Sequence, residues 1–116
     1  MTDNLWGFKE ETGYQAGTDL IGFHVEAIDG RIGTVDKHSD EVGAAYLVVD
    51  TGVWIFGRHV LVPAGTISSI DLEETTIYLA LTKDDIEQAP EFDQEKHLDN
   101  DEYHQQLAGY YGAPHS

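Results

Sequence analysis

Between positions 20 and 81 apolar residues fall in short runs at alternate positions, separated by turn formers, a period that predicts strands and not helices. Ile21, Phe23, Val25 and Ala27 alternate with Gly22, His24, Glu26 and Ile28, so 21–28 reads as a half-buried strand. Asp29-Gly30 accepts the positive φ angles of a type I′ turn and predicts a hairpin into a second strand over 31–37. Gly33 inside that strand predicts a bulge or a tight bend. The run 44–51, AAYLVVDT, is nearly apolar on both faces and reads as a central strand. A short strand over 59–62 stops at Pro63, which cannot donate a ladder hydrogen bond. The last pair is 67–72 and 75–82, with Ile77, Leu79 and Leu81 pointing inward. Six short strands in about sixty residues predict a small closed barrel, because closure removes edges.

At Thr82 the period changes. Thr82-Lys83-Asp84-Asp85 has a hydroxyl at a helix N-cap and acids in the first turn, where the dipole favours them, and Pro90 limits this helix to one or two turns. A second helix begins near Asn100, with Tyr103, Leu107, Tyr110 and Tyr111 on one stripe; Gly109 offers an earlier stop. Three regions result: an N-terminal extension over 1–18 that packs on the barrel or on a partner, the barrel over 19–83, and an acidic, helical C-terminal tail over 84–116.

The chain has 116 residues and a formal net charge of −16, from 22 acidic residues against 6 Lys plus Arg. Residues 1–19 carry net −3, 20–83 net −5 and 84–116 net −8, so the tail concentrates the charge. A phosphate backbone is recognised through Lys and Arg that displace its counterions, which excludes direct nucleic-acid binding as an expectation. The chain contains no cysteine, so neither disulfides nor thiolate metal sites are available. No apolar run nears the ~20 residues that span a bilayer, and Met1-Thr2-Asp3-Asn4 does not open a signal peptide. A cytoplasmic protein without membrane insertion is expected.

In order and spacing, Asp19-Leu20-Ile21-Gly22, Asp29-Gly30-Arg31-Ile32-Gly33-Thr34-Val35, Tyr46-Leu47-Val48-Val49-Asp50 and Val60-Leu61-Val62-Pro63 resemble the PRC-barrel family. Thr82-Lys83-Asp84-Asp85-Ile86 with Ala89-Pro90-Glu91-Phe92 is similar to the exit segment of its small, stand-alone, bacterial stress-associated members, and Tyr110-Tyr111-Gly112 resembles the terminal segment of some of them. The resemblance covers roughly residues 19–93. It implies a mainly β protein, a six-stranded PRC-type barrel with short C-terminal helices, of the kind that serves as a docking module in the photosynthetic reaction centre and in ribosome maturation. Fold alone transfers neither role.

Candidate chemistry is sparse. His97, Asp101 and His104 share a helical face only if the helix reaches back to His97, and histidines on an acidic surface are ordinarily solvated, so no metal site and no cofactor are assigned. His24, His38 and His59 have no ligand spacing. Glu73-Glu74 and Asp84-Asp85 fall at a turn and a helix start, where acids are expected on local grounds and not as a catalytic pair. There is no P-loop, dinucleotide fingerprint, H-E-x-x-H or G-x-S-x-G, and no enzyme activity is expected. Val53-Trp54-Ile55-Phe56 places bulky side chains on both faces of a strand, so Trp54, Ile55 and Phe56, with Tyr103, Leu107, Tyr110 and Tyr111, are the expected interface residues. The alternative is that the N-terminal segment or the tyrosine stripe covers that strand within one chain. The function expected is therefore an interaction or adaptor module, a homodimer or a binder of another cytoplasmic protein, with a connection to stress. Two alternatives from other classes are a ribosome-maturation or RNA-processing accessory docking on a ribosomal protein, and a metal or small-ligand sensor.

Overall fold

A computed structural model describes residues 7, 12, 14, 18–39, 45–52, 59–89, 92 and 101–112. Their elements are β1 (His24–Ala27), β2 (Gly30–Ser39), β3 (Tyr46–Asp50), β4 (His59–Pro63), a 3-10 turn (Ala64–Thr66), β5 (Ile67–Asp71), β6 (Thr76–Leu79), α1 (Lys83–Glu87) and α2 (Asp101–Gly112). The chain is mainly β, with one six-stranded sheet in the order β4-β3-β2-β1-β6-β5. All neighbours are antiparallel except β1 and β6, which run parallel with Val25 opposite Ile77. Val25 and Ile77 are fully buried, together with Leu20, Leu47, Val49, Val62 and Ile67.

The expected closed barrel is not closed. β4 and β5 end the sheet on opposite sides, and no ladder joins them among the described residues. They are consecutive in the chain, linked by the buried 3-10 turn, where the Thr66 hydroxyl donates to the Pro63 carbonyl at 2.7 Å. Closure is one way to hide the second face of a small sheet; here part of that work falls to helix α2.

The first hairpin also departs from expectation. Ala27 pairs with Gly30, so the two-residue turn is Ile28-Asp29, one position earlier than a turn centred on Asp29-Gly30. Among the described residues the one non-glycine with positive φ is Thr75, which excludes a type I′ turn at Ile28-Asp29. Asp29 is engaged elsewhere: its carboxylate accepts from the Lys83 backbone N–H at 2.8 Å, tying the hairpin to α1. Gly30 takes the positive φ, +142°, as the chain enters β2.

Gly33 does mark an irregularity. The register slips between Val25 and Glu26, leaving Ile32 as the extra, buried residue of a bulge. Gly33 is required for a further reason: a Cβ there would overlap the Asp50 backbone carbonyl of β3.

α1 begins as its sequence predicts. The Thr82 hydroxyl accepts from Asp85 N–H at 3.1 Å and the Asp85 carboxylate accepts from Thr82 N–H at 3.0 Å, a reciprocal capping box. α2 passes through Gly109 and continues to Gly112. Tertiary contacts carry it past the glycine: the Tyr110 hydroxyl donates to the Asp85 carbonyl at 2.6 Å, and Tyr111 is buried.

Candidate interaction surface

Two halves of the sheet have different burial. In β3 every residue but Asp50 is buried, and in β4 Leu61, Val62 and Pro63 are buried in succession. Consecutive strand residues point to opposite faces, so both faces of this half are covered. The central-strand reading of 44–51 agrees with that burial. α2 meets this half at β3, where the His104 ring lies 5.8 Å from the Tyr46 ring; elsewhere its Tyr103 lies 5.6 Å from Phe92. Beneath these, Tyr103, Leu107 and Tyr111 belong to the same buried cluster as the strands.

In the other half the strands alternate. β1 reads half-buried, buried, half-buried, buried, while β6 exposes Tyr78 between buried Ile77 and Leu79. Ser68 and Ser69 of β5 are exposed beside it. The large apolar residues exposed among those described all belong to this half: Ile28 (68% exposed), Ile21 (57%), Leu72 (55%) and Tyr78 (38%). His24 N–H donates to the Thr75 carbonyl at 2.8 Å, which brings the turn bearing Leu72 to the end of β1 that Ile21 precedes. Ile28 N–H donates to the Leu81 carbonyl at 2.8 Å at the opposite end. Three of the exposed residues thus lie in turns at the ends of the β1–β6 seam, Ile28 at one end and Ile21 and Leu72 at the other, and Tyr78 lies between them on β6, opposite Glu26.

Acids line the turns of this half. Asp19 accepts from Ile21 N–H, and Asp71 from both Glu73 and Glu74 N–H, so each aspartate shapes its own turn while remaining a charge at the sheet's margin. Arg31, the cation facing this surface from β2, is paired with Glu26 across the strands at 3.1 Å.

Of the interface residues expected from the sequence, Trp54, Ile55 and Phe56 lie outside the described residues. Tyr103, Leu107 and Tyr111 are buried in their own chain and Tyr110 is half-buried, so the aromatic stripe covers this chain's own sheet. Burial, followed by the charges of Asp85 and Asp84, raises the Tyr110 hydroxyl above its ordinary value. Burial raises Tyr111 well above it, with Tyr110, Tyr103 and Asp85 adding to the effect. Both phenols are held neutral at physiological pH.

The other sequence candidates do not assemble. His97 lies outside the described residues, and no group of three or more His, Asp or Glu able to hold a metal ion occurs among those described. His38 accepts from Leu20 N–H through Nε2 at 3.2 Å, and His59 faces Asp36 at 3.6 Å. Asp84 and Asp85 open α1, and Glu73 and Glu74 complete a turn. No helix among the described residues is long and apolar enough to cross a membrane.

Sequence reasoning did not single out Tyr78, Ile28, Ile21 or Leu72. A signal existed for Tyr78, because an inward row of Ile77 and Leu79 forces the residue between them outward. Ile28 likewise shares the parity of His24 and Glu26, opposite to Val25 and Ala27.

No family model matches this chain, and no curated protein matches it. Among solved structures it is similar to a putative 16S ribosomal RNA processing protein RimM from Pseudomonas aeruginosa, at 20% identity and a TM-score of 0.49. The match covers 62% of this chain and 48% of that one, so the chain spans about half the length of that protein.

Proposed function

We propose that this chain is a non-enzymatic binding module that recognises another protein through the open half of its sheet. The observation that carries this reading is the segregation of exposed apolar residues: Ile21, Ile28, Leu72 and Tyr78 all fall on the β1–β6–β5 half, while the β3–β4 half is covered on both faces. Exposed apolar side chains scattered singly over a surface are unremarkable, but here Tyr78 of β6 and the turn residues Ile21, Ile28 and Leu72 gather along one pair of strands and the turns at its ends, which offers contact area with an aromatic residue near its middle. The strand marks that resemble the PRC-barrel family support the same reading, since the barrels of that family act in docking. The cytoplasm is the compartment that fits a cysteine-free acidic chain.

Affinity capture from native lysate with the full chain, run beside the Ile28→Asp/Tyr78→Asp double variant, tests the proposal. Partners retained by the natural chain should be lost from the variant. Circular dichroism verifies that the variant is folded; because Tyr78 opposes Glu26, the uncharged Ile28→Ser/Tyr78→Ser variant repeats the comparison without a second carboxylate there. An identical set of captured proteins would remove the open half from consideration.

A further inference from the structure

The open half of the sheet faces a choice of guests, and the charge around it narrows that choice. We infer that it seats a basic amphipathic helix of another protein, an inference that rests on the binding-module reading above. α2 shows what this sheet accepts: a helix whose apolar stripe of Tyr103, Leu107 and Tyr111 is buried, meeting β3 at Tyr46 through His104. A sheet face is ordinarily covered by a helix or by another sheet. The β1–β6 seam with its flanking turns is about 20 Å long, a span that a helix of about fourteen residues matches. Ile28 and Tyr78 provide the apolar contacts on that seam.

The charge of the guest follows from the margin. Asp29, Glu73 and Glu74 are exposed on the turns around this face, Asp19 faces His38 of β2 at 3.8 Å, the Lys83 side chain lies over Gly30 beside Asp29, and Arg31 is engaged with Glu26, so acids outnumber the cations at this margin. A helix carrying Lys or Arg beside its apolar stripe meets complementary charge there, which gives orientation and a fast encounter. A second copy of this chain does the reverse. Two-fold pairing presents the same patch to itself, so these acids would face one another between molecules of net charge −16.

The test titrates two synthetic amphipathic helical peptides, one with Leu and Lys and one with Leu and Glu on the same pattern, into the isotope-labelled full chain. The Lys peptide should bind saturably and shift the amides of Ile28, Ser69 and Tyr78. Its affinity should weaken by about tenfold or more between low and high salt, and by a similar factor in Ile28→Ser/Tyr78→Ser. The Glu peptide should leave the spectrum unchanged. Shifts confined to the acidic α2 and insensitive to the double substitution would reduce the effect to general charge attraction and overturn the proposal. Equal binding of both peptides at Tyr78 would overturn the basic guest while leaving the binding module intact. No binding by either peptide would overturn it too. Sedimentation showing a dimer that the double substitution dissociates would award the face to a second copy.

Discussion

Strands β3 and β6 belong to one sheet and are both rich in β-branched and aromatic residues, yet their surroundings differ. The sequence YLVVD is buried at every position but the last, whereas TIYL turns its tyrosine outward. The difference lies in what is laid over each. β3 has strands on both sides and the His104 ring of α2 against Tyr46; β6 lies between β1 and β5 with Tyr78 exposed. A continuous apolar run therefore records a strand with two covered faces, and an interrupted run records one. In this sheet, which does not close, the half that α2 meets is buried on both faces, and the exposed large apolar residues fall on the other.

Matched substitutions on the two halves break or sharpen that comparison. The largest loss is expected from Leu107→Ala, which removes a fully buried side chain from the helix covering the closed half and should cost about 2–5 kcal/mol in denaturant unfolding. Gly33→Ala acts at the strand where the halves meet. Its Cβ would overlap the Asp50 carbonyl, so β2 and β3 must separate, at about 1–3 kcal/mol in the same measurement.

Alkaline titration comes next. Burial raises the folded-state pKa of Tyr111 above its unfolded value near 10, so the folded state keeps the proton that the unfolded chain releases. The associated stability is present in full below about pH 10 and is lost as pH rises through the folded value. Tyrosinate absorbance followed beside circular dichroism should show Tyr111 ionising as α2 leaves the sheet, with a shallower loss of stability in Tyr111→Phe. The smallest effect belongs to the open half: Ile28→Ser should change stability by less than about 0.5 kcal/mol, because 68% of that side chain is already in water. A loss from Ile28→Ser equal to that from Leu107→Ala would erase the distinction between the halves.

Local rules made much of the fold legible. The Thr82 cap, the alternation through Val25 and Ala27 and the irregularity at Gly33 depend on neighbours a few residues away, and each is found in the structure. What was not legible depends on distant partners. Asp29 accepts from Lys83, a bond across 54 positions that no turn propensity encodes, and the hairpin turn moves by one residue. The sequence leaves two helix lengths open, through Tyr111 or stopping at Gly109, and the Tyr110 bond to Asp85 goes with the longer one. The candidate surface was hidden for a related reason. The Tyr103–Tyr111 stripe and the residues about Tyr78 both carry aromatic side chains, and only the packing shows which of them the chain uses to cover itself.

The parallel union of β1 with β6 has a consequence for how the protein is made. During synthesis β1 can pair with β2 at once, but its other flank waits for Thr76, which opposes His24 about fifty positions later. Until that stretch leaves the ribosome, the nascent hairpin offers bare amides and carbonyls along one side, an invitation to mispairing that ends when the last strand arrives. The native topology is thus sealed late, and any delay in translation ahead of position 76 lengthens the interval in which the young chain most needs a chaperone.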